Sequence, residues 1–447
     1  MKIEKRWIIS FVVISLVSLI ALFWPSQISL PQTGTFLGED KIVGADVAWI
    51  LASSGLVLLM TPGLSFFYGG MVGKKNIIST MLQSFIALGV ISILWVVVGF
   101  SLSFGDSIGI TIGGEHYGLI GNPFTYMFFN NVGVFPHSQL ASTIPFVLFA
   151  LFQMKFAVIT PALITGSFAE RVRFISYLLF MVLFSLLIYT PLCHMVWHPN
   201  GLLSKYFWVK DFAGGTVVHM SAGFAALAGA MMIGKRKKTH HEPSNIPFVI
   251  LGTGMLWFGW FGFNAGSALA ANATAAMAFG TTTVASGTAM LTWIFFDRVN
   301  GRKVSALGAC IGAVVGLVAI TPAAGFVTIP HAIFIGFISS IVSNLMCHWK
   351  RLKKVDDTLD VFACHGVGGI MGMILTAILA QGENASLLHG GFGVFAHHMM
   401  ALVLVSAFTF LGSIILYKLT DMIIPLRVAE ESENIGLDLS QHDESCL

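Results

Sequence analysis

Apolar runs of about 18 to 25 residues recur along almost the whole chain, and only short polar connections separate them. Each run is long enough for a helix to cross a hydrocarbon core of roughly 30 Å. Apolar residues make up 56% of the chain, and charged residues make up 10%, against roughly 25% in a soluble domain. Since backbone in lipid must satisfy its hydrogen bonds internally, these runs predict helices. We therefore predict an all-α polytopic membrane protein with no room for a soluble domain.

The spacing of the cysteines and the sequences of the loops favour neither a cofactor-binding protein nor an enzyme. The five cysteines are scattered without metal or redox spacing, so we predict no disulfide framework and no zinc site. The loops contain no nucleophile, metal cluster or nucleotide motif, which makes a membrane enzyme the least favoured class. A net charge of +3 says little about nucleic acid, and the placement of the basic residues is more informative.

The N-terminus has two interpretations. Residues 1–6 include three basic residues and precede an apolar run from Trp7 to Trp24. This layout fits a cleaved signal peptide over residues 1–26, and it also fits an uncleaved extra helix. The sequence alone leaves both open.

From residue 45 onward the chain predicts eleven transmembrane helices. The predicted intervals are 45–68, 79–104, 140–168, 174–198, 212–234, 247–271, 273–296, 304–321, 330–349, 361–381 and 392–418. With these intervals, the basic residues of the connections collect on one side of the membrane, from Lys74 and Lys75 to Lys418 and Arg427. That side is cytoplasmic by the positive-inside rule, so the tail over 421–447 is predicted to be cytoplasmic and the mature N-terminus external.

Two segments of the chain share a theme of an acid, a downstream histidine and then glycines. Asp211 precedes His219, and Asp360 precedes His365 about 150 residues later. In the predicted topology the first segment enters the membrane from outside and the second from the cytoplasm. Opposite directions predict a five-plus-five inverted repeat, with halves at 45–234 and 247–381 and the eleventh helix outside the repeat.

His219 and His365 are both predicted to lie at hydrocarbon depth and to meet near the middle. A single buried histidine is most simply a neutral imidazole bonded to a carbonyl, but two in matched repeats favour a functional role. An imidazole pair offers a donor and an acceptor, which suits a line of polar molecules or a transferred proton. Asp211 and Asp360 are predicted at helix starts, where a carboxylate caps backbone N–H groups. The functional alternative for Asp211, compatible with capping, is an acid whose field attracts a cation to the outer mouth.

Aromatic residues cluster near two of the predicted helices. Phe263 and Ser267 are four residues apart and share a helix face, as do Phe152 and Phe156. Such rings usually form core, and the functional alternative is a hydrophobic constriction or a π face for a small cation. Trp197, at the outer end of its helix, is by itself more typical of an interfacial anchor than of a ligand.

Several spaced motifs together resemble a known family. They are Pro62 to Gly70, Ala169-Glu-Arg171, His194-Met-Val-Trp197, Asp211 to His219, Gly259 to Ser267, Leu307-Gly-Ala, Thr321-Pro, Val355-Asp-Asp357, Asp360-Val-Phe with His365-Gly, and Gly436-Leu-Asp438. This set is similar to the Amt/Mep/Rh ammonium transporters, and most similar to the Amt branch. The resemblance extends in order from about Ala45 to Glu444, with an ammonium transporter domain over 45–420.

The resemblance implies a homotrimer with one narrow pore per subunit and ammonium as substrate. It implies an external ammonium-recruiting site of Trp197, Phe156 and Ser267, supported from behind by Asp211. It also implies that Phe156 and Phe263 form a stacked gate and that His219 and His365 line the pore. Neither a cofactor nor a metal is expected.

The resemblance further implies residence in the bacterial cytoplasmic membrane. It also implies a tail, Arg427 to Glu444, that packs beneath the trimer, where a PII-type nitrogen-signalling protein closes the inner mouths. The alternative for the tail is an unstructured acidic segment. The alternative for the whole chain is an ammonium sensor that signals through this tail with little net transport.

Lys155 is the one residue that conflicts with this expectation. It lies next to Phe156 at membrane depth, where a cation facing the pore would repel ammonium. Because neighbouring helical residues point about 100° apart and lysine can extend toward the surface, we expect Lys155 to face away from the vestibule.

Overall fold

A computed structural model describes residues 5–24, 34–237, 242–352, 355–382 and 386–446, and the chain is mainly helical. Within these residues, nine helices are long and apolar enough to cross a membrane. They are Gly44–Met71, Ile77–Phe104, Phe146–Ser167, Phe174–Trp197, Gly215–Ile233, Ile246–Ala268, Ile329–Trp349, Phe362–Leu379 and Phe392–Ile423. A multi-pass membrane protein is therefore the architecture of this chain.

Two further helices lie in predicted intervals but are not among these nine. Ala273–Val299 fills the interval 273–296, and the shorter Ala306–Ile320 fills 304–321. One predicted start is misplaced: the interval 140–168 becomes a helix only at Phe146. Pro145 precedes it in an extended conformation with ψ of 135°, and a proline has no N–H to continue a helix toward the N-terminus.

The N-terminal apolar run forms the helix Lys5–Phe23. Its described side chains from Trp7 to Phe23 are almost all exposed. Trp24, just after it, contacts the ring of Phe128 with centroids 4.7 Å apart. Residues 25–33, where a signal peptide over 1–26 would end, lie outside the described residues, so both interpretations of the N-terminus stay predictions.

The loop after the second membrane helix contains a small antiparallel hairpin that the sequence analysis missed. Strand β1 is Ser107–Ile112 and strand β2 is Glu115–Gly121. Gly113 and Gly114 connect them with positive φ angles of 61° and 86°. Two consecutive positive φ angles define the turn that matches the twist of paired strands, and glycine adopts them without strain. The alternation of Ile108, Ile110 and Ile112 before this Gly-Gly pair was a usable signal.

The helices that carry the two histidines cross each other at the centre. We call Gly215–Ile233 the His219 helix and Phe362–Leu379 the His365 helix. The first turn of each packs against the later turns of the other, so they run antiparallel. Glycines allow the contact, because a Cβ on Gly223 would lie 2.2 Å from the Cα of Gly366. Any larger side chain at this crossing would separate the two helices.

The C-terminal tail packs against the body of its own chain. It forms two short helices, Glu430–Ile435 and Leu437–His442. The Asp438 carboxylate accepts hydrogen bonds from the backbone N–H groups of Ile78 at 3.1 Å and Ser79 at 2.7 Å. The backbone N–H of Leu437 donates to the Asn76 side chain at 2.8 Å. The tail thus caps the start of the Ile77–Phe104 helix, which contradicts the alternative of an unstructured segment.

Candidate functional site

A cavity of about 200 Å³ lies near the end of the molecule that carries the hairpin. Its lining is largely aromatic and apolar, with a few polar groups. The lining residues are Phe104, Gln139, Leu140, Phe149, Gln153, Phe156, Trp197, Pro199, Phe212, Ser267 and Leu269. The structure therefore brings Trp197, Phe156 and Ser267, which the sequence places in three separate helices, to one cavity. We call it the outer cavity.

Asp211 lies behind the outer cavity and organises its wall. The buried carboxylate accepts hydrogen bonds from the backbone N–H groups of Gly214 at 2.8 Å, Gly215 at 2.6 Å and Thr216 at 2.7 Å. The indole N–H of Trp197 donates to the backbone carbonyl of Asp211 at 3.1 Å. The acid therefore caps the His219 helix, while its backbone fixes the orientation of the Trp197 ring.

Two phenylalanine rings separate the outer cavity from the interior. The centroids of Phe156 and Phe263 are 4.3 Å apart with an interplanar angle of 34°. The edge of the Trp197 ring meets Phe156 at a centroid distance of 5.7 Å. Phe156 and Phe263 are both fully buried, and Phe156 also lines the cavity, so the two rings form an apolar constriction at the cavity wall. Ser267 is held next to it, since its hydroxyl donates to the Phe263 carbonyl at 2.8 Å.

The two histidines meet beyond this constriction. The Nδ1 atoms of His219 and His365 are 3.4 Å apart, within hydrogen-bond distance. Both imidazoles are buried, and the His219 ring stacks on Phe263 with centroids 6.0 Å apart. Trp260, which the sequence analysis did not single out, stacks on His219 at 5.5 Å. The Nε2 atom of His219 has no hydrogen-bond partner among the described residues, so it is available to a small polar molecule.

The acid that caps the His365 helix, as Asp211 caps the His219 helix, is Asp357, and the assignment of this role to Asp360 was wrong. The Asp357 carboxylate accepts hydrogen bonds from the backbone N–H groups of Val361 at 3.1 Å and Phe362 at 2.8 Å. Asp357 precedes His365 by eight residues, the same spacing as Asp211 and His219. Asp360 instead matches Gly214, because both stand three residues after the acid and both have positive φ angles, 57° and 123°.

An ionic network holds the loop before the His365 helix. Arg171 is fully buried and donates to the backbone carbonyls of Ser167, Ala169, Gly234 and Asp356. Burial lowers the pKa of Arg171 to about 10, which leaves it charged at neutral pH. The guanidinium of Arg236 contacts the Asp356 carboxylate at 2.9 Å.

The pKa values of Arg236 and Asp356 move apart, as expected for an ion pair. Burial by itself would raise the pKa of Asp356, but the hydrogen bonds from Arg236 outweigh it and lower the pKa. Burial by itself would lower the pKa of Arg236, but Asp356 and Glu170 raise it. Both groups therefore stay charged, and the loop before the His365 helix is held by charge-assisted hydrogen bonds.

Lys155 is half-buried and does not line the outer cavity, whereas Gln153 and Phe156 on either side of it do. This lining agrees with the expectation that its ammonium group points away from the vestibule.

Comparisons with known proteins fit this geometry. The model of the Ammonium Transporter Family matches residues 48–446. The ammonium transporter of Aquifex aeolicus is 43% identical over 425 residues, which are 93% of this chain and 96% of that protein. Ammonium transporter Amt1 of Archaeoglobus fulgidus is 42% identical over 405 residues, covering 89% and 98%.

Solved structures also superpose on this chain. Mep2 of Saccharomyces cerevisiae superposes with a TM-score of 0.79 at 32% identity, covering 88% of this chain and 89% of that one. A structure described as Sensor Amt Protein superposes with a TM-score of 0.82 at 28% identity, covering 91% and 100%. The chain belongs to the Ammonium Transporter Family.

Proposed function

We propose that this protein recruits ammonium in the outer cavity and conducts ammonia past its two histidines. Trp197 and Phe156 present their rings to the cation, and Ser267 accepts a hydrogen bond from it. Asp211 acts from behind, by holding the Trp197 ring and by its negative charge. Phe156 and Phe263 then form the gate, and His219 with His365 lines the pore.

One observation carries this proposal: the rings form an unbroken row. Successive centroids from Trp197 through Phe156, Phe263 and His219 to His365 are 5.7, 4.3, 6.0 and 5.5 Å apart. A small molecule that passes the gate therefore meets imidazole nitrogen at once. The two histidines are the ionisable groups in this row, and apolar packing of the aromatic rings does not require them.

The same row gives a physical basis for selectivity. Ammonium and potassium carry the same charge and are similar in size, but only ammonium donates hydrogen bonds and can lose a proton. A bare charge in the apolar constriction between Phe156 and Phe263 is costly. Ammonia crosses it as a neutral molecule, and the proton is returned or moved separately.

We infer that all eleven long helices from Gly44 to Ile423 span the membrane, including Ala273–Val299 and Ala306–Ile320. The equal acid-to-histidine spacing and the antiparallel crossing of the His219 and His365 helices support a five-plus-five inverted repeat. The basic residues then lie on the cytoplasmic side, and the tail lies there with them. A homotrimer in the bacterial cytoplasmic membrane is the assembly we propose.

The decisive experiment is a current recorded from the reconstituted protein when ammonium is added, with potassium as the control ion. We expect a response to ammonium only. The double variant His219→Ala with His365→Ala should lose most methylammonium uptake. The uncharged amine then has no histidine as a hydrogen-bond partner while it crosses. His389→Ala, an exposed imidazole, is the matched control. Unaltered uptake in the double variant would refute the proposed role of the pair.

We also propose that the packed tail forms part of a docking surface for a PII-type protein at the inner mouths. Glu433 in the tail forms an ion pair with Arg427 at 2.8 Å, so the surface has a defined shape. Deletion of residues 429–446 should abolish binding of a purified PII-type protein to the reconstituted transporter. Binding that is unaffected by the deletion would exclude this surface.

A sensor function is the second candidate. The packed tail favours it, because an ordered segment can transmit a conformational change to a partner. It predicts small ammonium currents together with tail protection that changes on ammonium addition. Hydrogen exchange of residues 427–446, measured with and without ammonium beside the current recordings, separates the two candidates.

A further inference from the structure

The cavity wall that carries Ser267 is an irregular segment. The Ile246–Ala268 helix leaves α-helical geometry at Phe261, and Leu269 adopts a left-handed conformation with φ of 55°. The next helix starts after Asn272, whose side chain caps it. Residues 265–272 therefore have little helical support of their own. A loop that is not tied down by regular hydrogen bonds needs other contacts to hold a ligand group in place.

Two side chains of the Gly44–Met71 helix supply such contacts. The carboxylate of Asp46, which is buried, accepts a hydrogen bond from the backbone N–H of Ala271 at 2.8 Å. The indole N–H of Trp49 donates to the backbone carbonyl of Ala265 at 3.2 Å. These bonds lie on either side of Ser267 along the chain. Together they fix both ends of the segment to one helix.

The same helix also contacts the chain directly at the start of the segment and just before it. A Cβ on Gly266 would lie 2.7 Å from the Cβ of Ser53, and one on Gly262 would lie 2.7 Å from the backbone carbonyl of Ser53. The close contact leaves the segment little freedom to move toward this helix. Asp46 and Trp49 limit its movement away from the helix.

We propose that Asp46 and Trp49 are positioning residues for ammonium recruitment, which hold Ser267 at the distance from Trp197 and Phe156 that the cation requires. This inference rests on the proposed function of the outer cavity. Neither side chain lines that cavity, so both act through the backbone of the 265–272 segment. The Asp46 bond is the stronger one because its acceptor is charged.

The first test is the concentration dependence of ammonium current in Asp46→Ala, Asp46→Asn and Asp40→Ala. Asp46→Ala frees Ala271, and we expect the apparent KM for ammonium to rise roughly tenfold, the change that corresponds to one lost charge-assisted hydrogen bond. The maximal current should stay within about twofold of the unmodified protein. Asp46→Asn keeps a carbonyl oxygen for Ala271 and should restore the KM. Asp40→Ala removes an exposed carboxylate whose ion pair, among the described residues, is with its neighbour Lys41, and it should change nothing.

The second test reads the position of Ser267 without transport. Ser267→Cys in a Cys446→Ser background places a thiol in the outer cavity, while the other four cysteines are buried. Asp46→Ala and Trp49→Phe should each change its labelling rate with a cationic thiol reagent several-fold, and Asp40→Ala should not. Trp49→Phe keeps an aromatic side chain but removes the indole N–H donor together with the pyrrole ring, so it also serves if Asp46→Ala fails to fold.

The possible results distinguish a positioning role from a purely structural one. An unchanged KM and an unchanged labelling rate in folded Asp46→Ala would overturn the inference. A loss of maximal current that Asp46→Asn does not rescue would also overturn it, since that result indicates a purely structural role. If the unmodified protein passes no ammonium current, the proposed function fails, while the labelling rates still decide whether Asp46 positions the segment.

Discussion

The starts of the His219 and His365 helices, which run antiparallel, use one arrangement. In each, a buried acid stands eight residues before the histidine and accepts hydrogen bonds from the first backbone N–H groups of the helix. In each, the residue three positions after the acid has a positive φ angle. In each, the first turn is a π-helical turn that contains the histidine, namely Gly215–Met220 and Phe362–Val367.

The surroundings of the two arrangements differ. Asp211 lies behind the outer cavity, and the indole N–H of Trp197 donates to its backbone carbonyl. Asp357 follows Asp356, which Arg171 and Arg236 hold in the ionic network. The shared geometry therefore places a histidine at the start of each helix, whereas the surroundings of the two acids differ. Under the proposed function, recruitment depends on the surroundings of Asp211 and not on the shared geometry.

Removal of either acid should have the largest effect. Asp211→Ala leaves three buried N–H groups without an acceptor, which costs about 3 kcal/mol or more in the free energy of unfolding. Asp357→Ala should cost a similar amount. The thermal midpoint in detergent checks both, with the Asp→Asn variants as controls that keep an acceptor. If only one acid matters for stability, the two arrangements are not equivalent.

Arg171→Met should affect the surroundings of Asp357 alone. The variant removes the donor to the partly or fully buried carbonyls of Ala169, Gly234 and Asp356, so we expect a loss of roughly 2 to 3 kcal/mol. The Ser167 carbonyl keeps its hydrogen bond from the backbone N–H of Thr358. Hydrogen exchange should rise over residues 355–367 and stay unchanged over 211–220. Equal increases at both ends would show that the network stabilises the whole pathway.

The two left-handed positions should tolerate substitution differently. Gly214→Ala combines an unfavourable φ of 123° with a Cβ that would lie 2.8 Å from Val218, and it should destabilise by about 2 kcal/mol. Asp360 has φ of 57°, which aspartate adopts at small cost, so Asp360→Asn should change the midpoint little. Asp360→Val should cost about 1 to 2 kcal/mol, because a β-branched residue is strained there. Equal tolerance of valine and asparagine would contradict the assignment.

The smallest effect should be the pH dependence of tail packing. Burial lowers the pKa of His442 below its ordinary value of 6.5, although Asp438 and Glu444 oppose the shift. The packed tail thus binds fewer protons than the released tail, and packing weakens as the pH falls below about 6.5.

Two other groups bear on this dependence. Burial raises the pKa of Asp438, which favours packing at more acidic pH and opposes the trend there. Ser79, whose hydroxyl lies 3.2 Å from the His442 ring, does not titrate in this range. Proteolysis of the tail at pH 7.5 and 5.5 should show faster cleavage at pH 5.5, and His442→Gln should remove the difference. A difference that persists in this variant would assign it to another group.

Much of this arrangement could be predicted from the sequence. Long apolar runs locate the helices, and Trp197, Phe156 and Ser267 were expected at one site. Asp357 was missed because the histidine was paired with the nearest acid, although the spacing from Asp211 to His219 already indicated Asp357. Asp46 was beyond prediction, because its partner is a backbone N–H about 225 residues away and no side-chain pattern marks such a bond.

The Nδ1–Nδ1 contact gives the histidine pair a direction. One hydrogen occupies this bond, so one imidazole donates and the other accepts. When His365 donates, the remaining hydrogen of neutral His219 resides on Nε2, which then presents a donor to a molecule beside it. When His219 donates, its Nε2 presents a lone pair instead. The pair is thus a two-state element, and the transfer of a proton through it would leave it reversed, so it must be reset before the next transfer.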